Sequence, residues 1–264
     1  MNAQLWGILN ATPDSFYDGN PHNTLDTLLT RAQTLVQDGA DVLDIGGEST
    51  RPGSKPITGD EEQARVLPLI KALRARYPQL PLSLDTRHVC VAQAGLESGA
   101  TIINDVSGNP TPELFALVKK HQAQLVLMHT RGTPQTMQTQ TDYTDLLNEV
   151  KDFLAQKISQ AKSAGLSKKQ LIIDVGFGFA KTREQNYELL KHLSFFNDLG
   201  VRLLVALSRK SFLSQAPDTP QDRLPQTLGA HLIALQQGAA ILRVHDVKET
   251  KQLLQFYTEW ENNK

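Results

Sequence analysis

Polar groups recur at one kind of place in this chain: at the end of a short apolar run or just beyond it. In order they are Asn10, Asp44 with Glu48, Asp85, Asn104 with Asp105, His129, Asp174, Ser208 with Lys210, and Arg243 with His245. Asp85, Asn104 and Asp174 offer acceptors plus one amide that both donates and accepts. That set suits a flat heterocycle edged with N–H and carbonyl groups. Helix capping competes for Asp85, since the chain turns helical soon after Thr86, and turn stabilisation competes for Asp174 beside Gly176 and Gly178. The cations lie elsewhere, at Arg51, Lys210, Arg243 and His245. Arg243 and His245 are two positions apart, so on a strand they share a face. Beside Asn10 they could grip a diphosphate, with Mg2+ bridging its oxygens, because that ion needs few protein ligands when phosphate is present. An ion pair of Arg243 with Asp246 or Glu249 is the structural alternative. Ser208, Arg209 and Ser211 surround Lys210 and suit a hydrogen-bonding lysine better than a desolvated Schiff-base nucleophile.

The elements that must position these groups are eight runs rich in Val, Ile and Leu. They are Leu5–Leu9, Val42–Ile45, Pro81–Leu84, Thr101–Ile103, Leu125–Met128, Leu171–Ile173, Leu203–Leu207 and Ile241–Val244. Most lack polar alternation, as strands covered on both faces do. Stripes of helical period lie between them: Leu25, Leu28, Leu29, Ala32, Leu35 and Val36; Ala64, Leu67, Leu69, Ile70 and Leu73; Leu146, Leu147, Val150, Phe153 and Leu154. Gly39, Gly99, Gly165, Gly200 and Gly238 stand where helices must stop, and Thr111 before Pro112 is a helix start. The α/β class follows, as a closed (β/α)8 TIM barrel with its active site at the C-terminal strand ends. A doubly wound sheet would carry a glycine-rich first turn where this chain has Asn10-Ala11-Thr12-Pro13.

Residues 1–264 are expected to form one domain, since the most linker-like stretch, at 214–220, is short. A net charge of −1 gives no reason to expect a nucleic-acid or anionic-membrane surface. Cys90 is the only cysteine, which excludes an intrachain disulfide, and its neighbours mark it as a small apolar helix residue. With no signal peptide or membrane-spanning run, the cytoplasm is the expected compartment.

Seven segments, in order on the expected strand ends, resemble dihydropteroate synthases. They are Gly7–Phe16, Asp44–Gly53 (DIGGESTRPG), Ser83–Thr86, Ile103–Ser107, Gly176–Phe179, Ser208–Ser211 and Arg243–Val247. The resemblance implies condensation of hydroxymethyl-dihydropterin diphosphate with para-aminobenzoate to dihydropteroate and diphosphate, with diphosphate leaving before the amine attacks. It implies a pterin site of Asp85, Asn104, Val106, Met128, Asp174, Lys210 and Arg243. It also implies a diphosphate site of Asn10, Arg51, Arg243 and His245, with Mg2+ on Asn10. Thr50, Arg51, Pro52, Phe179, Lys210 and Ser211 would form the aminobenzoate site, and Asp85, Lys210, Arg51 and Asn10 would be catalytic. A homodimer, sensitivity to sulfonamides, and closure of the loops at 11–24 and 46–59 over bound diphosphate are implied as well. Val175, Ala180, Ala206, Gln226 and Thr130-Arg131 depart from the family pattern, exchanges expected to cost little where φ is negative. The alternatives are a pterin-binding corrinoid methyltransferase, which would lack Thr50–Gly53 and Ser208–Ser211, and a non-catalytic pterin-binding paralogue.

Overall fold

The eight apolar runs form eight parallel strands in the computed structural model, which describes residues 3–12, 24–49, 54–214 and 218–263. The elements alternate as β1 (Gln4–Asn10), α1 (Leu25–Gln37), β2 (Val42–Gly46), α2 (Gly59–Arg76), β3 (Leu82–Asp85), α3 (Val89–Glu97), β4 (Ile102–Asp105) and α4 (Pro112–Lys120). They continue as β5 (Gln124–Met128), α5 (Leu146–Ser163), β6 (Leu171–Asp174), α6 (Arg183–Lys191), β7 (Arg202–Val205), α7 (Leu224–Gln236), β8 (Ile241–Val244) and α8 (Val247–Asn262). Each strand pairs with the next, and β8 pairs with β1, so the expected (β/α)8 barrel closes. The loops expected to act as lids fall largely on residues 13–23 and 50–53, outside the described residues, and so do Thr50, Arg51 and Pro52. Among the described residues no helix is long and apolar enough to cross a membrane.

Period-two alternation sorts the strand residues into two cores. Leu5, Leu9, Leu43, Ile45, Leu84, Ile103, Leu125, Leu127, Ile173, Val205 and Val244 pack outward under the helices. Trp6, Val42, Ile102, Val126, Ile172, Leu204, Ala206 and Ile241 pack together inside the barrel. Two residues further along the same inward face come Asp44 after Val42, Asn104 after Ile102, Met128 after Val126, Asp174 after Ile172 and Arg243 after Ile241. The lumen is therefore apolar at its base and ionic toward its mouth. Strand pairing sets Asp85 against both Gly46 and Asn104, and Met128 against Asp174; Asn104 itself faces Val126, so Met128 and Asp174 stand two residues further along the ladder.

Local signals fix most helix ends. The five stop glycines all have positive φ, between 66 and 112°. Thr58 with Glu61 and Thr182 with Gln185 form capping boxes, and Thr111 caps α4 with Pro112 at its first turn. Some expectations need correction. The run at Leu203–Leu207 outlasts its strand by two residues, because the chain turns away toward Arg209, whose φ is 59°. Helix α2 buries Glu62, Val66, Leu69, Ile70 and Leu73, not Ala64 and Leu67. Cys90 is exposed.

The seat of α3 on β3 is the tightest such contact involving a site strand. A Cβ added to Gly95 would lie 2.2 Å from Cδ2 of Leu84, a fully buried residue beside Asp85. Gly95→Ala is therefore expected to destabilise the fold by about 1–3 kcal/mol in urea titration, despite the roughly 1 kcal/mol of helix propensity it gains. A stabilised variant would show that the contact relaxes freely.

Candidate active site

Arg243 holds the centre of the lumen. Its Nε donates to Asp44 Oδ2 and its Nη2 to Asp85 Oδ2, each at 2.6 Å, which joins β8 to β2 and β3. The suggested pairing with Asp246 or Glu249 is not the one formed, because Asp246 is taken by Arg209. Asp44 is fully buried and Asp85 nearly so. One cation thus serves two carboxylates. Burial pushes the Asp85 carboxyl up, the Arg243 guanidinium pulls it down, and the neighbouring Asp44 pushes it up again. Arg243 itself is held above its ordinary value by the two acids, burial opposing. Asp85 takes no part in capping: His88 is the N-cap of α3, and Thr86 Oγ1 accepts from the His88 N–H at 3.1 Å.

Asn104, Met128 and Asp174 stand buried around the same mouth, and Val106 is half-buried just past β4. Asp174 does stabilise its turn, since its Oδ1 accepts from the Gly176 N–H at 2.8 Å. Burial raises its carboxyl, with Lys210 the chief opposing charge. Lys210 donates to the Phe177 carbonyl, and its Nζ lies 4.6 Å from the centre of the Phe179 ring. Burial lowers the Lys210 ammonium to about 8, against the pull of Asp174 and Asp85. It is hydrogen-bonded, as its polar neighbours suggested.

The turn that aims Lys210 is strained. Arg209 has a left-handed backbone, a conformation that costs a non-glycine residue about 1 kcal/mol or more. It is held by ion pairing to Asp246, by its N–H to Thr227 Oγ1 at 3.1 Å and by Arg223 on its carbonyl at 3.1 Å. Ser208 Oγ accepts from the His245 N–H at 3.2 Å and lies 3.1 Å from His245 Nδ1. Asn10 and His245 are half-buried at the ends of neighbouring strands β1 and β8, and Ser211 is exposed at the start of a short turn.

Three buried groups escaped the sequence reading of the site. Asp44 was visible as a strand end, but not as the partner of Arg243. Glu62 is buried and accepts from Thr86 Oγ1 at 2.9 Å, and burial raises its carboxyl to about 7. Lys181 is 3% exposed, behind the loop that carries Phe179. Ala180 also departs from expectation: its φ is 48°, so there alanine is strained.

The family model for pterin-binding enzymes matches residues 6–245. The dihydropteroate synthase of Synechocystis is 45% identical over 94% of this chain and 87% of its own length. Among solved structures, the Yersinia pestis dihydropteroate synthase in complex with a sulfonamide drug is 40% identical with a TM-score of 0.93, covering 100% of this chain and 95% of that one. The Xanthomonas albilineans enzyme with 4-aminobenzoic acid is also 40% identical, with a TM-score of 0.91 and coverage of 98% and 93%. The chain belongs to the pterin-binding enzyme family, among its dihydropteroate synthases.

Replacing Arg243 by Met would leave Asp44 and Asp85 buried without a counter-charge, at an expected cost of about 3–5 kcal/mol near neutral pH. The Asp85 carboxyl, which burial already raises, would lose the charge that opposes the rise, so folded-state stability would fall as pH rises past about 4. The deficit in urea titrations should be larger at pH 8 than at pH 5. An equal deficit at both would show that charge is not its cause.

Proposed function

We propose that the chain condenses hydroxymethyl-dihydropterin diphosphate with 4-aminobenzoate, giving dihydropteroate and diphosphate. The observation that carries this reading is the set of buried acceptors Asp85, Asn104 and Asp174 at the ends of β3, β4 and β6, with the Lys210 ammonium 4.6 Å from the centre of the Phe179 ring. Its support is the family membership, in which a sulfonamide and 4-aminobenzoic acid occupy close relatives.

In this reading the acceptors of Asp85 and Asp174 take N–H groups of the pterin. The Asn104 amide and Lys210 serve its remaining edge, with Met128 and Val106 against its faces. The bond between the pterin methylene and diphosphate breaks with its electron pair on the diphosphate. The amine of aminobenzoate then forms the C–N bond and releases a proton to solvent. Asp85 and Asp174 oppose the positive charge that develops on the pterin, and His245, Asn10 and Arg51 receive the leaving group. Arg243 uses two of its five N–H donors on carboxylates, which leaves others for substrate. The aminobenzoate lies beyond Lys210, beside Phe179 and Ser211.

Mg2+ fits this arrangement only as an ion that shares its shell with substrate. Among the described residues no group of three or more His, Cys, Asp or Glu could hold a metal. Asn10 Oδ1 lies at the rim over Gly46, where a Cβ would stand 3.6 Å from it. One amide oxygen completed by phosphate oxygens and water is coordination Mg2+ accepts, and the ion would supply charge for the leaving diphosphate.

The chain is also proposed to form a homodimer through its last helices. Tyr187 on α6, Ile233 on α7, and Phe256 and Trp260 on α8 are large apolar side chains left exposed on successive helices. Isologous pairing would cover them. Sedimentation should give a dimer, and Phe256→Glu combined with Trp260→Glu should shift it to monomer. A wild-type monomer at micromolar concentration would end that proposal.

The reaction is tested by diphosphate release. It should require both the pterin diphosphate and 4-aminobenzoate, and should fall on chelation of Mg2+. Asp85→Asn should weaken pterin binding by about 1–3 kcal/mol, since a donor replaces an acceptor against a pterin N–H. Pterin binding without diphosphate release would favour a non-catalytic binder.

A further inference from the structure

The loop between β6 and α6 carries Phe179, and its backbone is held in an unusual way. Gly176, Gly178 and Ala180 all have positive φ, at 71, 77 and 48°. The alternation points the carbonyls of residues 176–180 in different directions, away from any regular ladder. Each of those five carbonyls is met by a side chain. Lys181 takes Gly176 and Phe179, Lys210 takes Phe177, Gln138 takes Gly178 at 3.2 Å, and Tyr143 takes Ala180 at 3.0 Å. The Gly178 N–H donates to Asn186 at 2.7 Å.

Lys181 alone makes two of these contacts. Its Nζ lies 3.1 Å from the Gly176 carbonyl, 3.0 Å from that of Phe179 and 2.9 Å from His129 Nδ1. An ammonium has three hydrogens, and three acceptors receive them. The His129 ring is itself fixed, edge-on to Phe153 with ring centres 4.9 Å apart, and the residue's backbone N–H donates to the Asp174 carbonyl at 2.9 Å. A lysine loses much rotamer freedom when buried, so its retention without an acid partner in direct contact needs a role beyond packing.

We propose that Lys181 is a positioning residue for the second substrate: by clamping the carbonyls of Gly176 and Phe179 against His129, it sets the Phe179 ring beside Lys210. The inference rests on the reaction proposed above and assigns Lys181 to the aminobenzoate side, behind the ring. Asp174, which pairs with β5 and β7 and whose carboxylate accepts from the Gly176 N–H, makes none of these contacts through the Lys181 ammonium and keeps its place without it. Removing the clamp therefore acts on one substrate more than on the other.

The protonation of the pair agrees with the geometry. Burial drives His129 down to about 2, helped by Lys181 and Arg131, so Nδ1 stays an acceptor. Burial lowers Lys181 to about 7; Asp174 of β6 holds it up, while Lys210 after β7 and Arg131 after β5 push it down. A neutral amine has two hydrogens and must give up one of the three acceptors.

Steady-state kinetics with each substrate varied in turn decides the matter. Lys181→Met should raise the KM for aminobenzoate about tenfold or more, the equivalent of one hydrogen bond to a charged group, while the pterin KM moves less than about twofold. His129→Leu should act in the same direction, and His129→Asn, which keeps an acceptor near Nδ1, should restore most of the loss. In the wild type the aminobenzoate KM should rise from pH 6 to pH 8, and Lys181→Met should show a smaller rise that begins at higher pH, the part owed to Lys210. Equal changes in both KM values, or a lowered Tm with neither KM changed, would overturn the proposal. If Lys181→Met does not fold, the two His129 variants decide in the same way. A wild-type chain without turnover defeats the proposed reaction and not the clamp, which is then read by hydrogen exchange. Loss of protection at the Gly178 and Phe179 amides in His129→Leu, regained in His129→Asn, supports it, and unchanged protection overturns it.

Discussion

One guanidinium shared by two buried carboxylates sets the terms for the rest of the lumen. Arg243 reaches from β8 to Asp44 on β2 and Asp85 on β3, so it crosses the closure of the barrel between β8 and β1. A pair of this kind adds little net stability against a well-packed apolar core, but it is expensive to break. Its effect is therefore on specificity of arrangement more than on stability. With Arg243 committed to both acids, Asp85 is fixed in direction, and the acceptors at the mouth do not collapse onto the nearest lysine.

The same economy explains why the ionic groups sit where they do. Inward side chains recur every second residue, so each strand can offer one group to the apolar base and one to the mouth. Trp6, Ile102, Val126, Ile172, Leu204 and Ile241 fill the base. Short strands of four or five residues leave room for little else before the loops begin. The loops then do what the strands cannot. The Arg209 turn swings Lys210 over the mouth, and the turns at 176–180 bring up Phe179, both through backbone conformations that neighbouring side chains hold in place.

The barrel was legible because covered parallel strands show as unbroken Val, Ile and Leu runs, with glycine wherever a helix must stop. The ends of those runs named most of the mouth: Asp85, Asn104, Asp174 and Lys210 stand where periodicity put them. What failed to appear was pairing. Arg243 is 199 residues from Asp44 and 158 from Asp85, and only closure of the sheet makes them neighbours. Asp246 and Glu249, close in sequence, were the natural but mistaken partners. In α2 the buried stripe was misplaced because Glu62 and Val66 lie on it while Leu67 packs at its edge, so hydrophobicity alone gives the wrong phase. Lys181 was invisible for a different reason. A lysine just before a helix cap looks solvated, and its burial depends on carbonyls that converge only once Gly176, Gly178 and Ala180 take positive φ.

The difference in burial between the acids and the cations bears on the proposed chemistry. Asp44, Asp85 and Asp174 are buried, whereas Lys210 and His245 are half-buried just past the ends of β7 and β8. A substrate that separates into a cationic ring and an anionic leaving group would, in this lumen, keep each product beside charge of the opposite sign. In a medium of low effective dielectric that separation is worth far more than it would be in water, and it requires no rearrangement as the bond breaks. Burial raises Asp85 and Asp174, so the resting site holds its negative charge reluctantly. A developing positive charge on the ring would relieve that strain, because each acid then gains the counter-charge that Arg243 and Lys210 supply only in part. The acids that burial raises are thus the groups that would favour ionisation of the bound pterin.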